Sequence, residues 1–221
     1  TGSLANWLTG QLIPMIPLTT RSHYSLMWGN ASVKQLCRRA TALGYDRLAL
    51  TDTDNLYGLW PFLEACRRWG IRPIVGAEIT DPIHRYRAVC LVENDTGYAN
   101  LCRLLTLRHL EKAFDLKTAV SQRADGLTVL TGSPDLMMAW HSAGVHVAAS
   151  MPRRPLPSGH RLRQMAKKLN VPVAAVPGSF FLDPKEIAVH RMLRAIDLNT
   201  SLSCLKPTDT APADAWLAGP E

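Results

Sequence analysis

Two carboxylates, Asp52 and Glu78, stand at the ends of short apolar runs and are the first candidates for chemistry. Residues 47–51 and 73–78 each read as a β-strand. Acidic groups at strand ends can hold a divalent cation, but they can also cap a helix or pair with an arginine. The seven histidines are scattered along the chain, and we expect most of them to be surface or packing residues.

The elements that must position these carboxylates alternate along the chain. Strand-like runs cover residues 47–51, 73–78, 87–92, 126–131, 145–149 and 171–176, and helical patterns cover 59–69, 94–114, 158–169 and 183–196. Gly70 is placed to end one helix, Asn94 to cap another, and Ser133-Pro134 to begin a third. This alternation favours βα units around a parallel sheet or barrel, whose working face lies at the carboxyl ends of the strands.

Composition indicates a globular chain without a membrane anchor. Hydrophobic residues make up 47% of the 221 residues, which is enough for a core. No apolar run approaches the roughly 20 residues that span a bilayer, and the N-terminal residues do not resemble a signal peptide. The five cysteines are odd in number and never closely paired, so we expect free thiols in a reducing cytoplasm. The net charge of +7 permits a polyanionic partner.

Several segments, in unbroken order from residue 15 to the end, resemble the PHP (polymerase and histidinol phosphatase) domain of bacterial DNA polymerase III alpha subunits and their error-prone paralogues. The resemblance is carried by residues 51–58 (TDTDNLYG), 22–26 (SHYSL), 70–78 (GIRPIVGAE), 94–98 (NDTGY), 181–184 (FLDP) and 212–217 (PADAWL). It implies an α/β fold, an irregular (β/α)7 barrel of the PHP type. Active members hold metal ions between His, Asp and Glu side chains at the strand ends, and they hydrolyse phosphoesters.

Position by position, the resemblance also implies that most of the metal ligands are replaced. Thr19 and Arg21 occupy the places of the first His-x-His pair, Thr53 replaces a histidine beside Asp52, and residues 177–180 (PGSF) replace Asn-Asp-x-His. Arginine cannot ligate a cation, since it cannot be deprotonated. The predicted vestigial cleft therefore contains Thr19, Arg21, Asp52, Thr53, Glu78, Arg153 and Phe180. We expect no catalytic residue, no metal and no other cofactor, with Arg21 in the cleft beside Asp52 or Glu78.

These expectations define domains, function and partners. Residues 1–17 are predicted to be a lead-in or a cloning remnant, residues 18–200 the PHP domain, and residues 201–221 an exit linker towards a polymerase body. The leading hypothesis is an inactive domain that serves as the structural N-terminal part of a DNA polymerase, in replication or error-prone repair, with the rest of that chain as its partner. The alternatives are a metal-dependent phosphoesterase or 3′–5′ exonuclease with a rearranged site, and a stand-alone module that binds DNA or replisome proteins.

Overall fold

A six-stranded mixed sheet with helices around it forms the body of the protein in the computed structural model, which describes residues 16–152, 157–176 and 178–219. The strands lie in the sheet in chain order: β1 Arg47–Leu50, β2 Arg72–Thr80, β3 Arg87–Val92, β4 Leu127–Thr131, β5 Val147–Met151 and β6 Val173–Ala175. The helices are α1 Val33–Ala42, α2 Leu59–Trp69, α3 Asp95–Leu110, α4 Leu116–Arg123, α5 Pro134–Ser142, α6 Pro157–Lys168 and α7 Ile187–Asp197. The predicted α/β class is confirmed.

The expectation of a wholly parallel sheet is wrong for β3. That strand lies antiparallel to both β2 and β4, whereas β1–β2, β4–β5 and β5–β6 are parallel pairs. Only residues 81–86 connect β2 to β3, and a parallel crossover needs a dozen residues or more. The chain therefore turns back on itself in a hairpin, and the remaining five strands point the same way.

The sheet curls so that its two ends approach each other. The extended segment 17–21 lies beside β1, where Ala49 N donates to Pro17 O and Thr51 N donates to Thr20 O. On its other side, Arg21 N donates to Ser179 O and Ser179 N donates to Thr19 O. Residue 179 follows β6 closely in the chain, so segment 17–21 connects the two edges of the sheet. A count of seven βα units stays a prediction.

Helix ends follow the predicted caps, with two corrections. Gly70 ends α2 in the left-handed region at φ 68°, Asn94 caps α3, and Ser133 caps α5 with proline in its first turn. The helix predicted to reach residue 114 stops at Leu110, and a separate helix, α4, begins after it. The Asp115 side chain accepts a hydrogen bond from Thr118 N and so starts α4. No prediction covered α1, which begins at a capping box formed by Ser32 and Gln35.

Alternation along the strands separates two apolar layers. Ala88 and Cys90 on β3 belong to the large cluster shared with helices α3–α6, whereas Val89 and Leu91 belong to a smaller cluster of strand residues on the other face. A third cluster joins α1 and α2 to β1 and includes Leu217 from the C-terminal segment. The interior of the curled sheet is thus packed with side chains, and polar groups concentrate at the strand ends.

The C-terminal segment, expected to contain an exit linker, packs on this body between residues 211 and 217. Ala211, Ala215 and Leu217 are buried. Phe180 N donates to Ala215 O, and Leu217 N donates to Phe181 O. Whether a polymerase body follows stays a prediction.

Within the described residues, none of the helices combines the length and the apolar character that crossing a bilayer demands.

Candidate functional site

The two candidate carboxylates lie side by side at the carboxyl ends of β1 and β2. Asp52 lies two residues after the end of β1, and Glu78 lies on β2. Glu78 N donates to Asp52 O at 3.1 Å, and Thr53 forms an isolated parallel bridge with Glu78. Segment 17–21 brings Arg21 to the same place from the other side of β1. Three of the predicted cleft residues, Arg21, Asp52 and Glu78, are therefore gathered and buried together.

Arg21 and Glu78 form a buried ion pair at this end of the sheet. Arg21 Nη2 lies 2.6 Å from Glu78 Oε1, and Arg21 Nε donates to Glu78 Oε2 at 3.3 Å. The two side chains are only 6% and 5% exposed. Thr53 Oγ1 donates to Glu78 Oε2 at 3.1 Å. The guanidinium thus binds the carboxylate through two donors, and the threonine hydroxyl supplies a third.

The electrostatics of Glu78 follow from this pairing. Burial by itself raises the pKa of the Glu78 carboxyl, but the charges of Arg21 and Arg87 outweigh it, and the net shift is downward. Arg87 Nη1 lies 3.7 Å from Glu78 Oε1. Glu78 is therefore a charged carboxylate held between two guanidinium groups, which is the opposite of a carboxyl prepared to act as a general acid near neutral pH.

Asp52 is bound by neutral donors and not by Arg21. Its Oδ1 accepts from Ser22 N and Ser25 Oγ, both at 2.7 Å, and its Oδ2 accepts from Ser22 Oγ at 2.8 Å. Of the two carboxylates, Arg21 pairs with Glu78, because the turn after segment 17–21 supplies the donors for Asp52. This carboxylate fixes the turn and leaves Arg21 to Glu78.

Phe180 and Thr19 complete the surroundings of Arg21. The Phe180 ring lies under the guanidinium, with 4.3 Å from Arg21 Cζ to the ring centroid. A cation over an aromatic face is attracted by the ring quadrupole. Thr19 is buried, and its carbonyl accepts the hydrogen bond from Ser179 N. Phe180 thus covers one face of the Arg21 guanidinium. Arg153, the remaining predicted cleft residue, lies outside the described residues.

Two further charged residues near the cleft, one acidic and one basic, were not predicted to be engaged. Asp54, at a positive φ of 55°, accepts from Thr80 N at 2.8 Å and lies 3.2 Å from Arg108 Nη2. Arg87 was also missed, although its strand register could have revealed it. Arg87 stands opposite Thr80 in the β2–β3 pair, which makes it a diagonal neighbour of Glu78.

The histidines do not rebuild a metal site at these carboxylates. Within the described residues, no hydrogen bond or ion pair joins a histidine to Asp52 or Glu78. His23, which lies two residues after Arg21, is exposed, and its Nδ1 lies 3.3 Å from Ala31 O. His190 is fully buried; its Nδ1 donates to Trp28 O and its Nε2 accepts from Ala211 N, both at 2.8 Å. His190 therefore ties α7 to two loops.

One cluster of side chains that could ligate a metal ion lies away from the cleft, at the β2–β3 turn. His84 Nδ1 lies 3.2 Å from Asp81 Oδ2 and 3.9 Å from Asp115 Oδ2. The Asp81 oxygens already accept from the backbone N–H groups of Ile83, His84 and Leu116. These bonds fix the turn and the start of α4, which explains the cluster without a ligand.

Comparisons with known proteins agree with this architecture. A family profile described as "PHP domain" matches residues 17–149, more than half of the chain. The DNA polymerase III subunit alpha of Bacillus subtilis is 25% identical over 226 residues, covering 90% of this chain and 20% of that protein. The error-prone DNA polymerase of Xanthomonas axonopodis pv. citri is 46% identical over 85 residues, covering 38% of this chain and 8% of that protein. The chain thus spans a fifth or less of these relatives.

Solved structures share the fold. An amidohydrolase from Chromobacterium violaceum aligns at a TM-score of 0.57 and 16% identity, covering 75% of this chain and 87% of that one. A two-domain Bacteroides vulgatus protein described as containing a predicted PHP-like metal-dependent phosphoesterase aligns at 0.55 and 14% identity, covering 76% and 54%. At these identities the likeness concerns the fold alone. Taken with the profile match and the sheet geometry, it leads to one assignment: the chain belongs to the PHP domain family.

Proposed function

We propose that this chain is a metal-free, catalytically inactive PHP domain that serves as the structural N-terminal part of a DNA polymerase III alpha-type subunit. The observation that carries the proposal is the Arg21–Glu78 pair, which places a permanent cation where a metal centre would need a ligand. The similarity to one region of much longer polymerases supports the assignment to a polymerase chain. Its partner would be the remainder of that chain, acting in replication or in error-prone repair synthesis.

The remaining donors do not fit the metal cluster that the family implies. A divalent cation at Glu78 would lie against the Arg21 guanidinium, which binds both carboxylate oxygens. At Asp52 it would have to displace the backbone N–H of Ser22 and two serine hydroxyls. Thr53 and Phe180 offer no imidazole. We therefore derive no hydrolytic step for this site.

The internal network suggests what the site does instead. Arg21, Glu78 and Thr53 connect segment 17–21 to β2, and Ser22 and Ser25 connect the following turn to β1 through Asp52. In this proposal the ion pair takes the mechanical role of a metal by holding the strand ends together. Segment 17–21 would then count as the additional strand that completes a (β/α)7 barrel.

Elemental analysis of the purified protein tests the proposed loss of metal. We expect no stoichiometric zinc, manganese or iron after gel filtration. Two or more bound ions per chain that disappear in the Asp52→Asn/Glu78→Gln variant would contradict the proposal. His84→Ala is the matched control, because an ion lost only in that variant would belong to the Asp81–His84–Asp115 group outside the cleft.

A nuclease assay tests the proposed lack of activity. A 3′-labelled single-stranded oligonucleotide should stay intact with Mn²⁺, Mg²⁺ or Zn²⁺, because without a bound metal no water of lowered pKa is generated at the site. Release of 3′ nucleotides that is abolished by Asp52→Ala/Glu78→Ala would favour the alternative of a phosphoesterase with a rearranged site.

The polymerase assignment has a separate test in the gene. We expect the open reading frame to continue past residue 221 into a polymerase body with its own catalytic carboxylates. A stop codon directly after this segment would contradict the role as part of a polymerase chain.

A further inference from the structure

Helices α1 and α2 together form a basic surface of the protein. Helix α1 contains three cationic residues and no acidic one, and α2 contains two cationic residues and one acidic one. Their net charge of +4 compares with +7 for the whole chain of 221 residues, although the two helices comprise only 10 and 11 residues. Helix α6 also carries four cationic residues and no acidic one, so the α1–α2 pair and α6 are two separate basic surfaces of the chain.

A groove between the two helices combines this charge with an aromatic ring. Its volume is about 190 Å³, and the residues that line it include Lys34, Arg38, Glu64, Arg68 and Trp69. Lys34 and Arg38 lie one turn apart on α1, and Arg68 lies one turn from Glu64 on α2. Three cations thus flank a groove whose lining contains one carboxylate. The groove shares no residue with the cleft around Arg21 and Glu78.

The cations of this groove have no internal role that would explain them. Elsewhere in the described residues, Arg21, Arg72, Arg87, Arg108 and Arg194 each pair with a carboxylate. Within the part of the chain that the structure describes, no ion pair or hydrogen bond engages the charged side chain of Lys34, Arg38 or Arg68. All three residues are exposed. Free guanidinium groups beside an apolar floor attract anionic groups that an incoming ligand supplies.

We propose that the α1–α2 groove binds the backbone of single-stranded DNA. The cations would contact phosphates, and the Trp69 indole would stack on an unpaired base, which is the combination that non-sequence-specific single-strand binding uses. A duplex hides the faces of its bases, so the indole favours a single strand. An acidic protein segment would satisfy the charges but would make no comparable use of the indole. This surface is additional to the structural role proposed above and independent of any metal.

Fluorescence anisotropy with a labelled 12-nucleotide oligodeoxythymidylate tests this proposal, with EDTA present to prevent cleavage. Because each phosphate contact contributes about −0.7 to the slope of log K against log salt for single strands, three contacts give about −2. Arg38→Gln/Arg68→Gln should reduce the slope by about 1.4. Lys167→Gln/Lys168→Gln on α6 is the matched control, because it removes the same charge from exposed helix positions and should leave the slope unchanged.

A second pair of variants tests stacking. Trp69→Leu should weaken binding about tenfold without changing the salt slope, and Trp69→Phe should retain most of the affinity. Trp60→Leu is the control on the same helix, since Trp60 is 79% exposed and lies outside the groove lining, and it should bind like the unmodified protein. Three outcomes would overturn the proposal. The groove and α6 charge variants could lose the same amount of salt slope, or the protein could bind a 12-base-pair duplex as tightly as the single strand. Trp69→Leu could also leave binding unchanged in a folded protein.

Discussion

At the scale of single residues, the two carboxylates of the cleft are each held by protein donors. The Arg21 guanidinium is 6% exposed and neutralises Glu78, and the Phe180 ring covers it. Asp52 is stabilised instead by hydrogen bonds from serine hydroxyls. A buried carboxylate is costly unless it is paired and hydrogen-bonded, so each acid retained from the family pattern needs its own set of donors.

The first prediction concerns the partner of Glu78. Arg21→Gln leaves a buried carboxylate without its nearest cation, so it should lower the free energy of unfolding by about 3 kcal/mol. Arg87→Gln is the control, because Arg87 is more than half exposed and 3.7 Å away, and it should cost less than about 1 kcal/mol. Chemical denaturation measures both. If the two arginine variants cost the same, or if Glu78→Gln does not recover part of the loss caused by Arg21→Gln, the ion-pair account is wrong.

The second prediction concerns pH and His190. Burial lowers the pKa of the His190 imidazole, and its bond to Trp28 O opposes this shift, while the charge of Arg194 adds to it. Because the folded-state pKa lies below the ordinary value near 6.5, the unfolded chain binds more protons just below that pH. The stabilisation is therefore complete above about pH 6.5 and is lost as pH falls towards the folded-state pKa.

Denaturation between pH 7.5 and pH 5 measures this effect. The free energy of unfolding should fall faster on acidification for the unmodified protein than for His190→Gln, by up to about 1.4 kcal/mol per pH unit. The window is separate from that of Glu78: its lowered pKa means that its stabilising contribution is complete above about pH 4.5 and is lost only as pH falls below that value. Parallel pH profiles for the two proteins would show that His190 does not carry the predicted linkage.

At the scale of elements, local signals located helices better than strand directions. Helix α2 runs over residues 59–69 as its apolar spacing predicts, and Gly70, Asn94 and Ser133 lie at the predicted ends. A strand-like run such as residues 87–92 carries no direction in itself, although the short link before it excludes a parallel crossover. Helix α4 was not predicted, and Asp115 was the capping signal that marks its start.

At the candidate site, too, some contacts could be predicted from the sequence and others could not. Arg21 was located from its position in the chain, because a strand-end residue faces the pocket whatever its identity. The donors to Asp52 were missed, since Ser22 and Ser25 reach it only after the chain turns in three dimensions. The resemblance therefore placed Arg21, whereas Arg87 was missed and the neutral hydrogen-bond partners depend on a loop whose geometry the sequence pattern does not specify.

The third prediction concerns the contact between α3 and β4. A Cβ atom at Gly97 would lie 1.8 Å from Gly126 O, and Gly126 itself has φ 71°. Gly97→Ala should lower the free energy of unfolding by about 2 kcal/mol through overpacking, although alanine is the better helix former. Gly132→Ala is the control, because a Cβ there meets nothing nearer than Ser150 O at 3.6 Å. A Gly97→Ala protein as stable as the original would show that α3 can move away from β4.

At the scale of the whole molecule, the chain closes on itself at both ends of the described region. Segment 17–21 lies between β1 and residue 179, and the C-terminal segment returns to the first helices. Tyr45 Oη donates to Ala218 O at 2.6 Å, which ties residue 218 to the loop after α1. In a polymerase subunit, such closure would give the domain a fixed shape against which the rest of the chain could pack.

The last prediction tests whether the segment after residue 210 belongs to the folded domain. Leu217 is 1% exposed and packs in the cluster that joins α1 and α2 to β1, and its N–H donates to Phe181 O. Leu217→Ala should therefore lower the free energy of unfolding by about 3 kcal/mol, since it removes buried methyl groups and leaves a cavity. Leu202→Ala is the matched control; Leu202 is 47% exposed, and its loss should change stability by less than about 0.5 kcal/mol. If Leu217→Ala were as mild as Leu202→Ala in urea denaturation, residues 211–219 would behave as part of the exit linker predicted for residues 201–221. A large difference would move the boundary of the PHP domain beyond residue 200, because only a segment that is part of the cooperative unit can transmit the loss of one leucine to global unfolding.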